Sequence, residues 1–332
     1  MLNEEQKERI KTQIKTMMLN SRFKLENGKM TNFLDEFNDP LTVEVLCNAD
    51  GTFWVEKLGQ GLKKIGLISP TTVGNIINQV SSFYEYECNK FNAICEAEFP
   101  VDNSRFEGLI PPLVSAPSFS LRKKATKIFT LDDYVKQGIM TPRQREIISD
   151  ATVAHKNMLI VGGTGSGKTT LINAVIYEMV ERCPDDRVII IEDTGEIQCS
   201  AFNKLQLHTT EKQGMTALLR ATLRLRPDRI LVGEVRGPEA LDLLDAWNTG
   251  HSGGLATLHS NTALSGLDRL KSLINRNSAC PKNENDVNKI IGETVNYVVN
   301  IARDKKGRSI KGIIKVNYYD PLTKSFNYEN VV

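Results

Sequence analysis

Residues 157–182 read NMLIVGGTGSGKTTLINAVIYEMVER. The apolar run 157–161 is too short for a stable helix and suits a fully buried strand. Gly162-Gly163-Thr164-Gly165-Ser166-Gly167-Lys168-Thr169 follows at once and satisfies the pattern G-x-x-x-x-G-K-[ST]. A helix is expected from about Lys168 to Arg182. The glycines let the backbone curl and aim its N–H groups inward, where side chains would obstruct. The helix N-terminus behind the loop adds a field that favours anions. Strand, glycine loop and helix in this order predict a phosphate cradle. Its expected nucleotide-binding residues are Gly162, Gly163, Thr164, Gly165, Ser166, Gly167, Lys168, Thr169 and Thr170. Lys168 is placed to reach the β- and γ-phosphates, and Thr169 to ligate Mg2+.

Outward from the loop the same alternation repeats. Residues 187–192 and 229–235 read as buried strands, and 205–208 and 254–258 as shorter ones. Residues 215–225, 238–247 and 263–274 read as helices. Residues 297–302 and 309–317 flank Lys305-Lys306-Gly307-Arg308 and read as a hairpin. Continuous apolar strands alternating with helices imply an α/β fold with a mostly parallel sheet covered on both faces. The first part of the chain differs. Ile10, Ile14, Met17 and Met18 form a helical stripe in residues 1–20, suited to its own domain, a neighbouring subunit or a membrane surface. Residues 41–47 alternate like a strand, and Asp50-Gly51 before Thr52-Phe53-Trp54-Val55 signals a hairpin. Residues 69–86 look helical. In 118–122, Phe119 and Leu121 alternate with polar residues, which buries them and leaves Arg122 on the open face. Residues 1–127 are therefore expected to form a smaller α+β domain with a linker to about 141, and 142–332 the larger α/β domain.

A phosphoryl-transfer site also needs a carboxylate-held metal and a group that orients the attacking water. Two apolar strands end in acids: Ile189-Ile190-Ile191-Glu192-Asp193-Thr194-Gly195-Glu196 and Ile230-Leu231-Val232-Gly233-Glu234-Val235-Arg236. Ligands of open α/β sheets lie beyond such strand ends. Gly233 stands where an Asp often follows the apolar run, so Glu234 must take the metal role, directly or through water. His259 ends a neighbouring strand, where a neutral imidazole could hydrogen-bond the γ-phosphate or a nearby water and report its loss.

Composition narrows the rest. Lys+Arg and Asp+Glu number 42 and 40 in 332 residues, a balance that argues against direct nucleic-acid binding by electrostatics. The six cysteines contain no C-x-x-C pair, and reduced thiols in a cytosolic interior are expected. No apolar run approaches the roughly 18 residues of a membrane span, and the N-terminus has no apolar leader segment. A cytoplasmic protein is expected.

Four boxes stand in order: GGTGSGKT at 162–169, IEDTGEIQ at 191–198, ILVGEVRGPEA at 230–240 and GHSGGLATLHSN at 250–261. Together they resemble the secretion-ATPase superfamily of type II and type IV secretion. The segment 219–254, with DGTFWVEKLG at 50–59 and RFEGLIPPLVSAPSFSLRKKA at 105–125, resembles the P-type conjugal transfer branch more than pilus motors. The likeness spans about residues 30 to 275.

The resemblance implies a RecA-like ATPase domain after an N-terminal domain, with nucleotide between them. It implies a homo-hexameric ring at the cytoplasmic face of the bacterial inner membrane, docked on inner-membrane components of a conjugation or type IV secretion channel. ATP rather than GTP comes from the resemblance alone. So do the roles. Glu196 would polarise the water, Asp193 and Glu234 would join Thr169 at Mg2+, and His259 would act as sensor. Arg105 and Arg122 would reach the phosphates. Arg236 has Gly237 where relatives often carry an acid, which leaves its pairing open. A nucleic-acid-translocating or pilus-type motor and a non-hydrolysing scaffold stand as alternatives.

Overall fold

In the computed structural model the alternating pattern of the first part of the chain becomes an antiparallel sheet backed by helices. All residues are described except 1, 26–27, 58–59, 124–127, 211, 282, 305–306 and 332. The chain divides into two compact units, Met1–Thr126 and Lys127–Val332. Thr126, where the boundary is expected to begin, and Lys305 and Lys306 of the expected turn lie outside the described residues.

Helix α1 (Glu4–Asn20) opens with a capping box between Asn3 and Gln6. Its Ile14 and Met18 are fully buried, and Ile10 and Met17 pack against the same core. The amphipathic stripe thus covers its own unit. Strands β1 (Arg22–Lys24) and β2 (Met30–Asn32) form a small ribbon before α2 (Phe33–Asn38). Next come β3 (Thr42–Cys47), β4 (Thr52–Lys57), β5 (Gly61–Leu67), α3 (Pro70–Phe83), β6 (Ile94–Glu98), β7 (Arg105–Leu109) and β8 (Ser118–Arg122). The sheet order is β5-β4-β3-β8-β7-β6. Phe23, Phe53, Phe33, Phe119, Phe106 and Phe99 form a chain of ring contacts 4.8–5.8 Å between centroids. Each such pair adds about 0.5–1.5 kcal/mol beyond simple burial. Phe119 and Leu121 face this core and Arg122 is exposed, as the alternation predicts.

The second unit begins with α4 (Leu131–Lys136) and α5 (Pro142–Val153), each started by a capping box. The expected linker is therefore partly helical. Leu131, Tyr134 and Met140 are apolar surfaces within it, and they bury against the underside of the sheet. The remaining elements are β9 (Met158–Gly162), α6 (Lys168–Arg182), β10 (Val188–Glu192), β11 (Lys204–His208), α7 (Met215–Thr222), β12 (Arg229–Val235), α8 (Glu239–Asn248), β13 (Leu255–His259), α9 (Ala263–Ile274), α10 (Glu284–Thr294), β14 (Tyr297–Asp304), β15 (Gly307–Asp320) and β16 (Ser325–Asn330).

The sheet order is β11-β10-β12-β13-β9-β14-β15-β16. The first six strands are parallel; β15 and β16 return antiparallel. One core packs α7, α8, α9 and α10 on one face, and another packs α4, α5 and α6 on the other. Every residue of β9 and β10 is buried, which is why these strands read as unbroken apolar runs.

Two buried polar residues pin the edge away from the phosphate loop. Asn157 accepts from the Gly253 and Gly254 amides at 2.9 and 3.0 Å and donates to the Thr294 carbonyl at 2.9 Å. Arg229 is 1% exposed, donates to Asp186 at 2.5 Å, and donates to the Thr152 carbonyl at 3.0 Å.

Candidate functional site

The parallel topology carries the C-terminal ends of β9, β10, β12 and β13 to one edge. Each expected site residue of the second unit stands at or just beyond one of these ends. At the end of β9, a Cβ on Gly162 would strike the Ile301 carbonyl oxygen and the Ser166 hydroxyl, so only glycine fits. Gly163 and Gly165 face open space, with no heavy atom within 4 Å of a Cβ built there. Gly167 caps α6 at φ +101°, a left-handed turn that disfavours side chains. The helix has no side-chain cap, so its first amides remain available to a ligand. An open glycine surface against an uncapped helix start fits an anionic group.

Lys168 is 8% exposed, and its ammonium folds back onto the loop. Nζ donates to the Gly162 and Gly163 carbonyls at 3.0 and 3.1 Å and lies 3.3 Å from His259 Nδ1. His259 Nε2 lies 2.7 Å from Glu234 Oε1. Glu234 Oε2 accepts from Arg236 Nε at 2.7 Å, and Arg236 Nη1 reaches Asp193 Oδ2 at 3.4 Å. Thr209 donates to Asp193 Oδ1 at 2.9 Å. The structure thus strings Lys168, His259, Glu234, Arg236 and Asp193 into one chain of contacts across β9, β13, β12 and β10.

The imidazole is held below the ordinary histidine value, first by burial and then by the charge of Lys168. Glu234 pulls the other way, and Arg236 and Arg269 add to the depression. A neutral ring suits this position, with Nδ1 accepting from the ammonium and Nε2 in close contact with the carboxylate. Arg236 is exposed, yet the partial desolvation of its guanidinium works against its charge. The Glu234 hydrogen bond and the charges of Glu234, Asp193 and Glu196 outweigh that and raise its value. Arg236 therefore finds its acids on its own strand and on the loop after β10. At the neighbouring position, Glu239 Oε1 accepts from both the Arg236 and Gly237 amides at 2.7 Å.

Sequence reading missed Glu192 and Asn173. Glu192 is 2% exposed, and its Oε1 accepts from the Glu196 and Ile197 amides at 3.0 and 2.8 Å. It also accounts for Gly233, because a Cβ there would stand 3.0 Å from Glu192 Cγ. Asn173, buried on α6, donates to the Glu196 carbonyl at 3.3 Å and accepts from the Gln198 amide at 3.0 Å. Two buried side chains thus tie the backbone of Glu196 to the sheet and to the phosphate-loop helix.

Thr169 and Thr170 lie in the first turn of α6 and are half-buried. Among the described residues no three His, Cys, Asp or Glu side chains gather as a cation cage. Thr169, Asp193 and Glu234 are hard oxygen donors, the kind Mg2+ takes when it binds through one or two carboxylates and substrate phosphates. Arg105 and Arg122 stand in the first unit, opposite each other in register across β7 and β8. Arg105 Nη2 lies 3.6 Å from Glu96. His251, the other histidine of its box, faces the Pro227 carbonyl at 3.0 Å, a contact within the fold.

Comparison with known proteins places these features in a family. Residues 89–306 match the family described as Type II/IV secretion system protein. Conjugal transfer protein TrbB of Rhizobium radiobacter is 44% identical over 296 residues, covering 89% of this chain and 90% of that protein. Probable conjugal transfer protein TrbB of Sinorhizobium fredii is 46% identical over 282 residues, 85% of each. The Legionella pneumophila ATPase DotB has the same α/β, RecA-like fold, with a TM-score of 0.61. It is 20% identical, and the match covers 86% of this chain and 79% of that one.

Proposed function

This chain belongs to the Type II/IV secretion system protein family, and we propose that it is an Mg2+-dependent ATPase that powers conjugal DNA transfer through a type IV secretion channel. In this reading it works as a ring of six copies on the cytoplasmic face of the inner membrane. The observation that carries the catalytic part is the contact chain from the phosphate-loop Lys168 through His259 to Glu234. The TrbB relatives support the conjugal role.

The loop amides and the start of α6 bind the β- and γ-phosphates, and Lys168 turns from the loop carbonyls onto them. Thr169 and Glu234, with Asp193 beside them, would hold Mg2+, which neutralises phosphate charge in the transition state. Glu196 orients the attacking water, its backbone held by Glu192 and Asn173. His259 exchanges its contact with Lys168 for one near the γ-phosphate, so phosphate loss is felt at Glu234 and Arg236. Arg105 and Arg122 are retained as phosphate-binding arginines on the strength of the family resemblance.

Phosphate release by the purified chain tests this. We expect Mg2+-dependent ATP turnover that Lys168→Ala abolishes and that single-stranded DNA does not strongly stimulate. Full turnover by Lys168→Ala refutes the reading. Nucleotide-dependent ring formation without phosphate release makes the chain a scaffold. Strong stimulation by single-stranded DNA, falling steeply with salt, makes it a nucleic-acid motor.

A further inference from the structure

Beside the phosphate loop lies a cavity of about 480 Å3 that shares Gly163, Thr164 and His259 with the site and extends beyond it to Arg269. Gly163 and Thr164 line it on the loop side, His259, Ser260 and Asn261 at the end of β13, and Arg269 on α9. None of its lining residues is acidic. Amide, hydroxyl and guanidinium groups make up its polar surface, a set rich in donors. No hydrogen bond or ion pair to another side chain holds Arg269 among the described residues. By contrast, the sheet's buried Arg229 and the exposed Arg236 each have carboxylates.

We propose that this cavity is an oxyanion subsite that holds inorganic phosphate as it leaves the cradle, with Arg269 as its cation. The inference rests on the ATPase reading and adds a ligand and a residue to it. Two observations converge on it. The cavity opens against Gly163 and Thr164, the second and third residues of the loop, and against His259, which contacts Glu234. The cleaved phosphate is therefore next to it. Arg269 also offers a permanently charged planar fork suited to phosphate oxygens, which a lysine matches only as a point charge. Residence of phosphate there would hold His259 and delay the return of Lys168 to its loop carbonyls.

The test uses the full chain, with Arg269→Gln and Arg269→Lys compared with the wild type. Inhibition of ATP turnover by added inorganic phosphate, and by orthovanadate with MgADP, reads the subsite. Calorimetric titration with ADP reads the cradle. We expect Arg269→Gln to weaken both forms of inhibition roughly tenfold to a hundredfold, as for the loss of one hydrogen bond to a charged group. ADP affinity should stay within about twofold, a small change on that scale. Arg269→Lys should retain part of the inhibition, and the nucleotide-free melting temperature should not move. Unchanged phosphate and orthovanadate inhibition in Arg269→Gln overturns the proposal. So does an equal loss of ADP affinity, which would put Arg269 on the diphosphate. Wild-type chain that binds no ADP fails the underlying reading instead, and the ADP arm reports that separately.

Discussion

Replacing Glu192 by alanine would strip the Glu196 and Ile197 amides of their acceptor. Both now donate to one carboxylate oxygen that is almost wholly buried. A hydrogen bond to a charged group contributes about 1.5–3 kcal/mol. The Ile197 amide is buried and takes the full loss, whereas the Glu196 amide is partly solvated and recovers some from water. The expected cost is about 2–5 kcal/mol. For a unit of this size that lowers the melting temperature by roughly 4–20 °C, at about 2–4 °C per kcal/mol. Glu192→Gln keeps one acceptor and should lose less than half as much. The functional effect should exceed what stability explains. At a temperature where the variant is fully folded, kcat should fall at least about tenfold, because a displacement near 1 Å at a positioned catalytic group costs up to about a hundredfold. KM for ATP should change little, since the phosphate loop is untouched. Thermal unfolding and steady-state ATP turnover measure both. A Glu192→Ala chain with an unchanged melting temperature and kcat would refute the argument that this carboxylate builds the Glu196 loop.

Two further outcomes follow from other contacts of the second unit. His259 should titrate below the ordinary value of 6.5, and Lys168→Ala should raise its midpoint by removing a depressing charge; proton NMR of the ring reads both. The unfolded chain then takes up the proton first, so this site's contribution to stability is intact above about pH 6.5 and is lost as pH falls below it. Arg229→Met should cost about 3–5 kcal/mol, seen by denaturant unfolding, because Asp186 loses its closest buried partner.

The second unit was the more legible part of the chain. Its central strands are buried on both faces, so β9, β10 and β12 appear as unbroken apolar runs whose ends coincide with the phosphate loop and the acids. Helices α6 and α9 matched their expected bounds because glycine or threonine punctuation starts them. Elements at the rim were harder. Helix α10 and strand β16 bury only part of their length, and their polar residues mask the period. Strand β7 was hidden in a Pro-rich segment, although Phe106 between Arg105 and Glu107 carries the alternation. The segment after residue 127 looked like a connection, yet Leu131 and Tyr134 anchor a short helix there. Within the site, Glu192 passed for a strand-end residue beside the more conspicuous Asp193. The signal was Gly233. A glycine where an acid is usual implies that another side chain fills the space, and the fold delivers Glu192 into it. Arg269 had no local signature, because only the packing of α9 against the end of β13 brings it to the loop.

A structure of the chain with a bound non-hydrolysable ATP analogue and Mg2+ bears most directly on the phosphate cradle. The β- and γ-phosphates should rest on the amides of residues 163–169. Lys168 Nζ, now 3.0 and 3.1 Å from the Gly162 and Gly163 carbonyls and 3.3 Å from His259, should have moved onto phosphate oxygen. A triphosphate bound elsewhere, with Lys168 still on its carbonyls and Glu196 and Glu234 remote from the γ-phosphate, would contradict the account.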